Sequence, residues 1–143
     1  KWRYDVPDVG FKYHGNSIIA SIGLVQLKYL EEDNRKRNEL AELYDQLLAR
    51  NKKVRPIFVA PNCYSARHLY QIMVENRENI MKNFYDHQIY PGVHYWDNTN
   101  YKMYSYAKDT CPKAVSASEK IISLPLHLNL DKEDIYYVVS ILE

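Results

Sequence analysis

The chain has 143 residues and a net charge of +1, with 46% apolar and 26% charged residues. That length fits one domain, and this composition is that of an ordinary globular protein. The balanced charge argues against the basic face of a nucleic-acid-binding protein, and no apolar run reaches the roughly 18–20 residues of a membrane span. We therefore expect neither nucleic acid nor a membrane among its partners.

The chain opens inside what already reads as folded sequence. It begins at Lys1, and Trp2, Tyr4 and Val6 alternate like the residues of a strand. We therefore expect the chain to be a piece of a longer protein.

A single long helical pattern follows. Asn16 or Ser17 can cap its start, apolar residues recur at helical spacing from Ile18 onward, and no proline interrupts residues 17–50. A helix over 17–50 would be about 50 Å long, which exceeds the diameter of so small a domain. The pattern predicts a helix that bridges two bodies, followed by a loop over 51–61.

The second half alternates short strands with short helices. Asp131 can cap the last helix, and Asp134 stands three residues on, at the position that completes a capping box. This order predicts one α/β (α+β) domain over 1–143, in which helices pack against a small sheet. The expected elements are a strand at 68–74, a helix at 76–87, a helix at 112–120, a strand at 121–126 and the capped helix after Asp131.

The histidines and cysteines indicate neither a metal nor disulfides. The five histidines show no HxxxH or HExxH spacing, so we predict no metal site. Cys63 and Cys111 are far apart and form no CxxC pair, as expected of buried thiols in a reducing compartment. These features predict a cytoplasmic protein.

Five local motifs occur in the order found in one enzyme family. Over nearly its whole length the chain resembles the DegT/StrS-type sugar-nucleotide aminotransferases, which depend on pyridoxal phosphate. The motifs are GFKYH at 10–14 before NSIIASIGLVQL at 16–27, HLY at 68–70, GVHY at 92–95, CP at 111–112, and SLPL at 123–126 with Asp134.

The resemblance implies the C-terminal small domain of a fold-type-I enzyme. Such enzymes transfer an amino group, commonly from glutamate, to a nucleotide-linked keto-sugar in surface-polysaccharide or deoxysugar biosynthesis. The cofactor acts as an electron sink, and a lysine forms a Schiff base with it. That lysine is expected upstream of Lys1, so we predict no catalytic residue in this chain and no activity when it is isolated.

The resemblance also assigns roles to the turn before the long helix. In the family this turn reaches the cofactor of the neighbouring subunit, which implies a homodimer through residues 10–30. Lys12 and Asn16 are the implied cofactor-binding residues, although the side chain of Asn16 equally suits a helix cap. Tyr13 and His14 are the implied substrate contacts on the same turn.

A second expected substrate contact lies at His94 and Tyr95. They follow a glycine turn at a strand end, where open α/β sheets tend to place ligands. We expect both residues to contact the nucleotide-sugar substrate.

Two other functions stay open from the sequence. The family also includes dehydratases that use the cofactor with a histidine in place of the lysine, and the deciding residue lies upstream. A non-catalytic interaction module with the same fold is the third possibility, but a packing role alone would not require the 10–16 turn together with His94 and Tyr95.

Overall fold

A three-stranded antiparallel sheet and five helices form the body of the protein in this computed structural model, which describes residues 4–142. Two short 3₁₀ turns, Asn98–Asn100 and Lys102–Ala107, lie between the third and fourth helices. In chain order the elements are α1 (Ser17–Gln26), α2 (Leu30–Leu48), β1 (Val54–Pro56), β2 (Tyr70–Val74), α3 (Arg77–Asp86), α4 (Pro112–Lys120), β3 (Ile121–Leu124) and α5 (Lys132–Ser140).

The sheet has the order β1-β2-β3 and two different faces. Ile72 lies opposite Ile122, and both are fully buried in the core. One residue along, Gln71 lies opposite Ser123. Because successive strand residues point to opposite faces, this polar pair lies on the other face of the sheet.

The main core lies between the sheet and three helices. Helix α2 packs against α5 and β1, and α3 adds two buried apolar side chains, Met81 and Phe84. The largest fully buried side chains of the core are Tyr44, Tyr70, Phe84, Leu48, Ile72, Ile122, Ile135 and Val74.

The single helix predicted over 17–50 is instead two helices separated by a turn at 27–29. The backbone N–H of Lys28 bonds to the carbonyl of Val25 at 3.1 Å, and that of Tyr29 bonds to Gln26 at 3.0 Å. These bonds span three residues rather than four, so the helix tightens and ends before α2 begins. No proline or glycine marks the turn, and the apolar spacing alone therefore did not reveal it.

Two other expectations about the backbone were wrong. The loop predicted over 51–61 contains the edge strand β1, which at three residues is too short to show a period. The strand expected near Tyr4 and Val6 is absent from residues 4–16, where no described strand pairs with the segment. Trp2 lies outside the described residues.

The helices and strands of the second half are confirmed. Helix α4 spans the predicted residues, and α3 begins after the Asn76 cap. At the start of α5 both hydrogen bonds of the capping box between Asp131 and Asp134 are present.

The surface carries several features that bear on function. Cys63 and Cys111 are free thiols, and both are exposed rather than buried. Within residues 4–142 no helix has the length and apolarity needed to cross a bilayer. The same residues contain no cluster of three side chains suited to hold a metal ion.

Candidate functional site

The 10–16 turn projects from the body as an exposed extended segment. Phe11 and Tyr13 are each 90% exposed, and Lys12 and His14 are also exposed. The side chains of Lys12, Tyr13 and His14 form no hydrogen bond or ion pair within residues 4–142. These side chains are therefore available to a partner or ligand.

Asn16 caps α1, as one of its two predicted roles required. Its Oδ1 accepts hydrogen bonds from the backbone N–H groups of Ile18 and Ile19, both at 3.1 Å. Because only the amide oxygen can accept these bonds, they distinguish Oδ1 from Nδ2 in the side chain. The two hydrogens on Nδ2 have no partner among the described residues. The cap therefore does not prevent Asn16 from donating to a ligand.

Helix α1 buries none of its residues in this body. The exposed fraction is 71% for Ile18, 56% for Ile22 and 49% for Val25, and these residues lie on one side of the helix at helical spacing. An apolar helix face of this kind, uncovered in a single chain, indicates an interaction surface.

A groove of about 660 Å³ lies beside His94 and Tyr95. Tyr95 is 66% exposed and Tyr90 is 75% exposed. The complete lining is Tyr4, Tyr85, Tyr90, Pro91, Gly92, Val93, His94 and Tyr95. Aromatic walls with a few polar groups suit a ligand that has both flat apolar surface and polar substituents.

His94 is held in the groove from three sides. Its Nδ1 lies 2.8 Å from Oγ of Ser123, and its carbonyl accepts a 2.6 Å hydrogen bond from Nε2 of Gln71. A Cβ at Gly92 would lie 2.5 Å from Cε1 of His94, so the imidazole lies directly over that glycine. The ring therefore has little freedom to move.

The N-terminal segment reaches the groove through Tyr4. The ring of Tyr4 stacks against that of the buried Tyr101, with 6.0 Å between centroids. Burial raises the pKa of the Tyr101 hydroxyl, and a hydrogen bond with Tyr4 raises it further. The Tyr101 hydroxyl is therefore neutral near pH 7.

The predicted site residues fall into two separate groups. His94 and Tyr95 both line the groove. Lys12, Tyr13, His14 and Asn16 belong to the turn, and within the described part of the chain no hydrogen bond joins that turn to the groove. Sequence reasoning missed the wall residues Tyr85 and Tyr90 and the two residues that hold His94. For Ser123, the available signal was its position as the one polar residue of the apolar strand IISL.

Comparison with known proteins decides the family. The model of the DegT/DnrJ/EryC1/StrS aminotransferase family matches residues 1–143. The chain belongs to this family. The chain is 30% identical in sequence to the dTDP-4-dehydro-2,3,6-trideoxy-D-glucose 4-aminotransferase of Saccharopolyspora spinosa. The match covers 97% of this chain and 37% of that protein.

Solved structures of two aminotransferases have the same fold. The aminotransferase TlmJ from Streptoalloteichus hindustanus superposes with a TM-score of 0.83 at 29% identity, over 99% of this chain and 39% of that one. Spr1654 from Streptococcus pneumoniae, in its PLP form, gives 0.81 at 29% identity, over 99% and 38%. The chain spans less than two-fifths of the length of these three relatives and matches their C-terminal part.

Proposed function

We propose that this chain is the small domain of a pyridoxal-phosphate-dependent aminotransferase that transfers an amino group, from glutamate, to a nucleotide-linked keto-sugar. The observation that carries the proposal is the family match over residues 1–143. It is supported by a relative at 30% identity whose name describes a 4-aminotransferase of a dTDP-linked keto-sugar.

The 10–16 turn supplies the contacts proposed for the cofactor. The Lys12 ammonium is exposed and has no carboxylate partner among the described residues, and Asn16 keeps two amide hydrogens to donate. A cation and an amide donor fit the phosphate group of pyridoxal phosphate. When bound, that cofactor provides an electron sink for the carbon that gains or loses the amino group. The two residues of this chain bind and orient it.

The groove supplies the contacts proposed for the nucleotide sugar. His94 provides a fixed polar group, and Tyr95 provides an exposed ring beside it. The exposed Tyr13 and His14 are proposed to add substrate contacts from the turn. Holding a substrate at several points orients it for reaction, which contributes to rate as well as to affinity.

We also place a homodimer contact at residues 10–30. This region contains the exposed turn and the uncovered apolar face of α1 defined by Ile18, Ile22 and Val25. A second subunit that covers this face would bury the apolar side chains and bring the Lys12 turn to the neighbouring cofactor. In this arrangement each cofactor site needs residues from both subunits.

The proposal is tested with the full-length parent protein, supplied with pyridoxal phosphate, glutamate and a panel of nucleotide-linked keto-sugars. We expect mass spectrometry to detect an amino sugar, formed with an equal amount of 2-oxoglutarate. Loss of water from the sugar without 2-oxoglutarate would identify the dehydratase instead. A protein that neither binds the cofactor nor changes any sugar would support the interaction module.

A further inference from the structure

Ser123 is tied to the groove through both its backbone and its side chain. Its backbone N–H donates to the carbonyl of Gly92 at 2.8 Å, and its carbonyl accepts from the N–H of Gly92 at 2.9 Å. Its hydroxyl oxygen lies 2.8 Å from Nδ1 of His94, which follows Gly92 by two residues. One residue of β3 therefore fixes both the glycine beneath the imidazole and the imidazole itself.

The burial of Ser123 decides whether its hydroxyl or Nδ1 of His94 supplies the proton of the hydrogen bond between them. The residue is only 3% exposed, and within residues 4–142 Nδ1 of His94 is the one hydrogen-bond partner of its hydroxyl. If neutral His94 carried its proton on Nδ1, the serine hydroxyl would keep a buried hydrogen without an acceptor. A buried donor left unpaired is costly, so the favoured arrangement has the hydroxyl donating to Nδ1.

We infer that Ser123 is a positioning residue that holds neutral His94 as the tautomer protonated on Nε2. The groove then contains a hydrogen-bond donor at Nε2, an atom with no partner among the described residues. The ligand atom that it recognises is an oxygen acceptor, such as a hydroxyl, a keto oxygen or a phosphate oxygen of the sugar nucleotide. The assignment of this ligand rests on the proposed function, whereas the tautomer does not.

Gln71 supports the same arrangement from the neighbouring strand. It lies directly opposite Ser123 in the β2–β3 register, and its side-chain amide donates to the carbonyl of His94. This cross-strand pair therefore holds His94 at its backbone and at its ring. Hydrogen bonds of this kind fix both the ring orientation of a histidine and its tautomer. They therefore decide whether a donor or an acceptor faces the ligand.

The tautomer is tested by NMR on the full-length parent labelled with ¹⁵N-histidine, with the His94 signals assigned by their loss in His94→Gln. We expect Nε2 to show the shift of a protonated nitrogen and Nδ1 that of an unprotonated one. Ser123→Ala should give a mixture of tautomers, Ser123→Thr should keep the wild-type pattern, and Ser118→Ala is the matched control. Among the described residues the hydroxyl of Ser118 bonds only within its own helix, to the carbonyl of Val115.

Protonation of Nδ1 in the wild type would overturn the inference, and that result needs no variant to fold. A second arm measures kinetics: Ser123→Ala should raise KM for the sugar nucleotide about three- to tenfold, the size of one lost neutral hydrogen bond. Ser123→Thr keeps the hydroxyl and should restore the wild-type KM. A KM raised as much in Ser123→Thr as in Ser123→Ala would show a merely structural role. If the parent transfers no amino group, the proposed function fails, and the NMR result still decides the role of Ser123.

Discussion

The hydroxyl of Tyr70 donates a 2.6 Å hydrogen bond to Oδ1 of Asp45, which ties the first residue of β2 to α2. The ring of Tyr70 stacks on that of Tyr44 with 4.6 Å between centroids, and the hydroxyl of Tyr44 bonds to the carbonyl of Pro125 at 3.0 Å. Arg67 completes the cluster through its ion pair with Asp45. Two buried phenols therefore connect α2, β2 and the end of β3.

We expect this cluster to make the folded chain sensitive to alkali. Burial raises the pKa of both Tyr44 and Tyr70, and the hydrogen bond to Asp45 raises that of Tyr70 further. Tyrosines in the unfolded chain ionise near pH 10. The stability that the two protonated phenols contribute is therefore complete below that pH, and it is lost as the pH rises toward their higher pKa values in the folded chain. Above about pH 10 the free energy of unfolding should fall by about 1.4 kcal/mol per pH unit for each of the two.

The measurement is urea unfolding of the chain between pH 7 and pH 11. The double variant Tyr44→Phe, Tyr70→Phe should show a much shallower alkaline decline, while Tyr106→Phe, at a residue 81% exposed, should keep that of the wild type. Equal slopes for the double variant and the wild type would place the sensitivity elsewhere.

The capping box of α5 should contribute measurably to stability. Oδ1 of Asp131 accepts from the N–H of Asp134, and Oδ2 of Asp134 accepts from the N–H of Asp131, both at 3.0 Å. We expect Asp131→Ala to lower the free energy of unfolding by about 1 kcal/mol, because it leaves the N–H of Asp134 unpaired. Urea denaturation checks this, with Asp131→Asn retaining most of the stability. Glu133→Ala is the control in the same turn, and a loss as large as that of Asp131→Ala would contradict a specific cap.

Lys12 and His94 should give separable defects in the full-length parent. On the role proposed for Lys12, Lys12→Ala would remove a charge-assisted contact to the cofactor phosphate, so affinity for pyridoxal phosphate should fall about ten- to a hundredfold. His94→Ala should raise KM for the sugar nucleotide and leave cofactor affinity unchanged. Titration of cofactor into apoenzyme, followed by kinetics at saturating cofactor, distinguishes the two. Unchanged cofactor binding in Lys12→Ala would show that the turn is only structural.

The apolar face of α1 should drive self-association. Ile22 is 56% exposed in the single chain, and we expect it to be covered in the dimer. Ile22→Asp should shift the parent from dimer toward monomer in sedimentation equilibrium, because it would place a charge in an apolar contact. Ser21→Asp adds the same charge to the neighbouring residue and should shift the equilibrium less. A dimer equally stable in both variants would exclude this face as the interface.

How much the sequence predicts depends on how local the determining interaction is. The capping box joins Asp131 to Asp134, three residues apart, and neighbouring residues of the α5 stripe are at most four apart, so the pattern predicted that helix correctly. The turn at 27–29 lacks proline and glycine, and β1 is set by its pairing with β2, so neither has a local signature.

The same distinction applies to the candidate site. His94 and Tyr95 were predicted from a family motif, and the structure places both in the groove. The contacts of His94 with Gln71 and Ser123 join residues 23 and 29 positions away, so only the folded sheet reveals them. The phosphate role of Lys12 stays a prediction.

The isolation of α1 has a consequence for how the assembly forms. A ten-residue helix is shorter than the roughly 12–15 residues that an isolated helix needs in water, and α1 buries nothing in its own body. In the proposed homodimer, the free energy that keeps it helical would come largely from the surface that covers Ile18, Ile22 and Val25. Helix formation in α1 and dimerisation would then be one coupled equilibrium, which depends on protein concentration. Through its two bonds to the first turn, the Asn16 side chain would then strengthen the association independently of its proposed contact with the neighbouring cofactor.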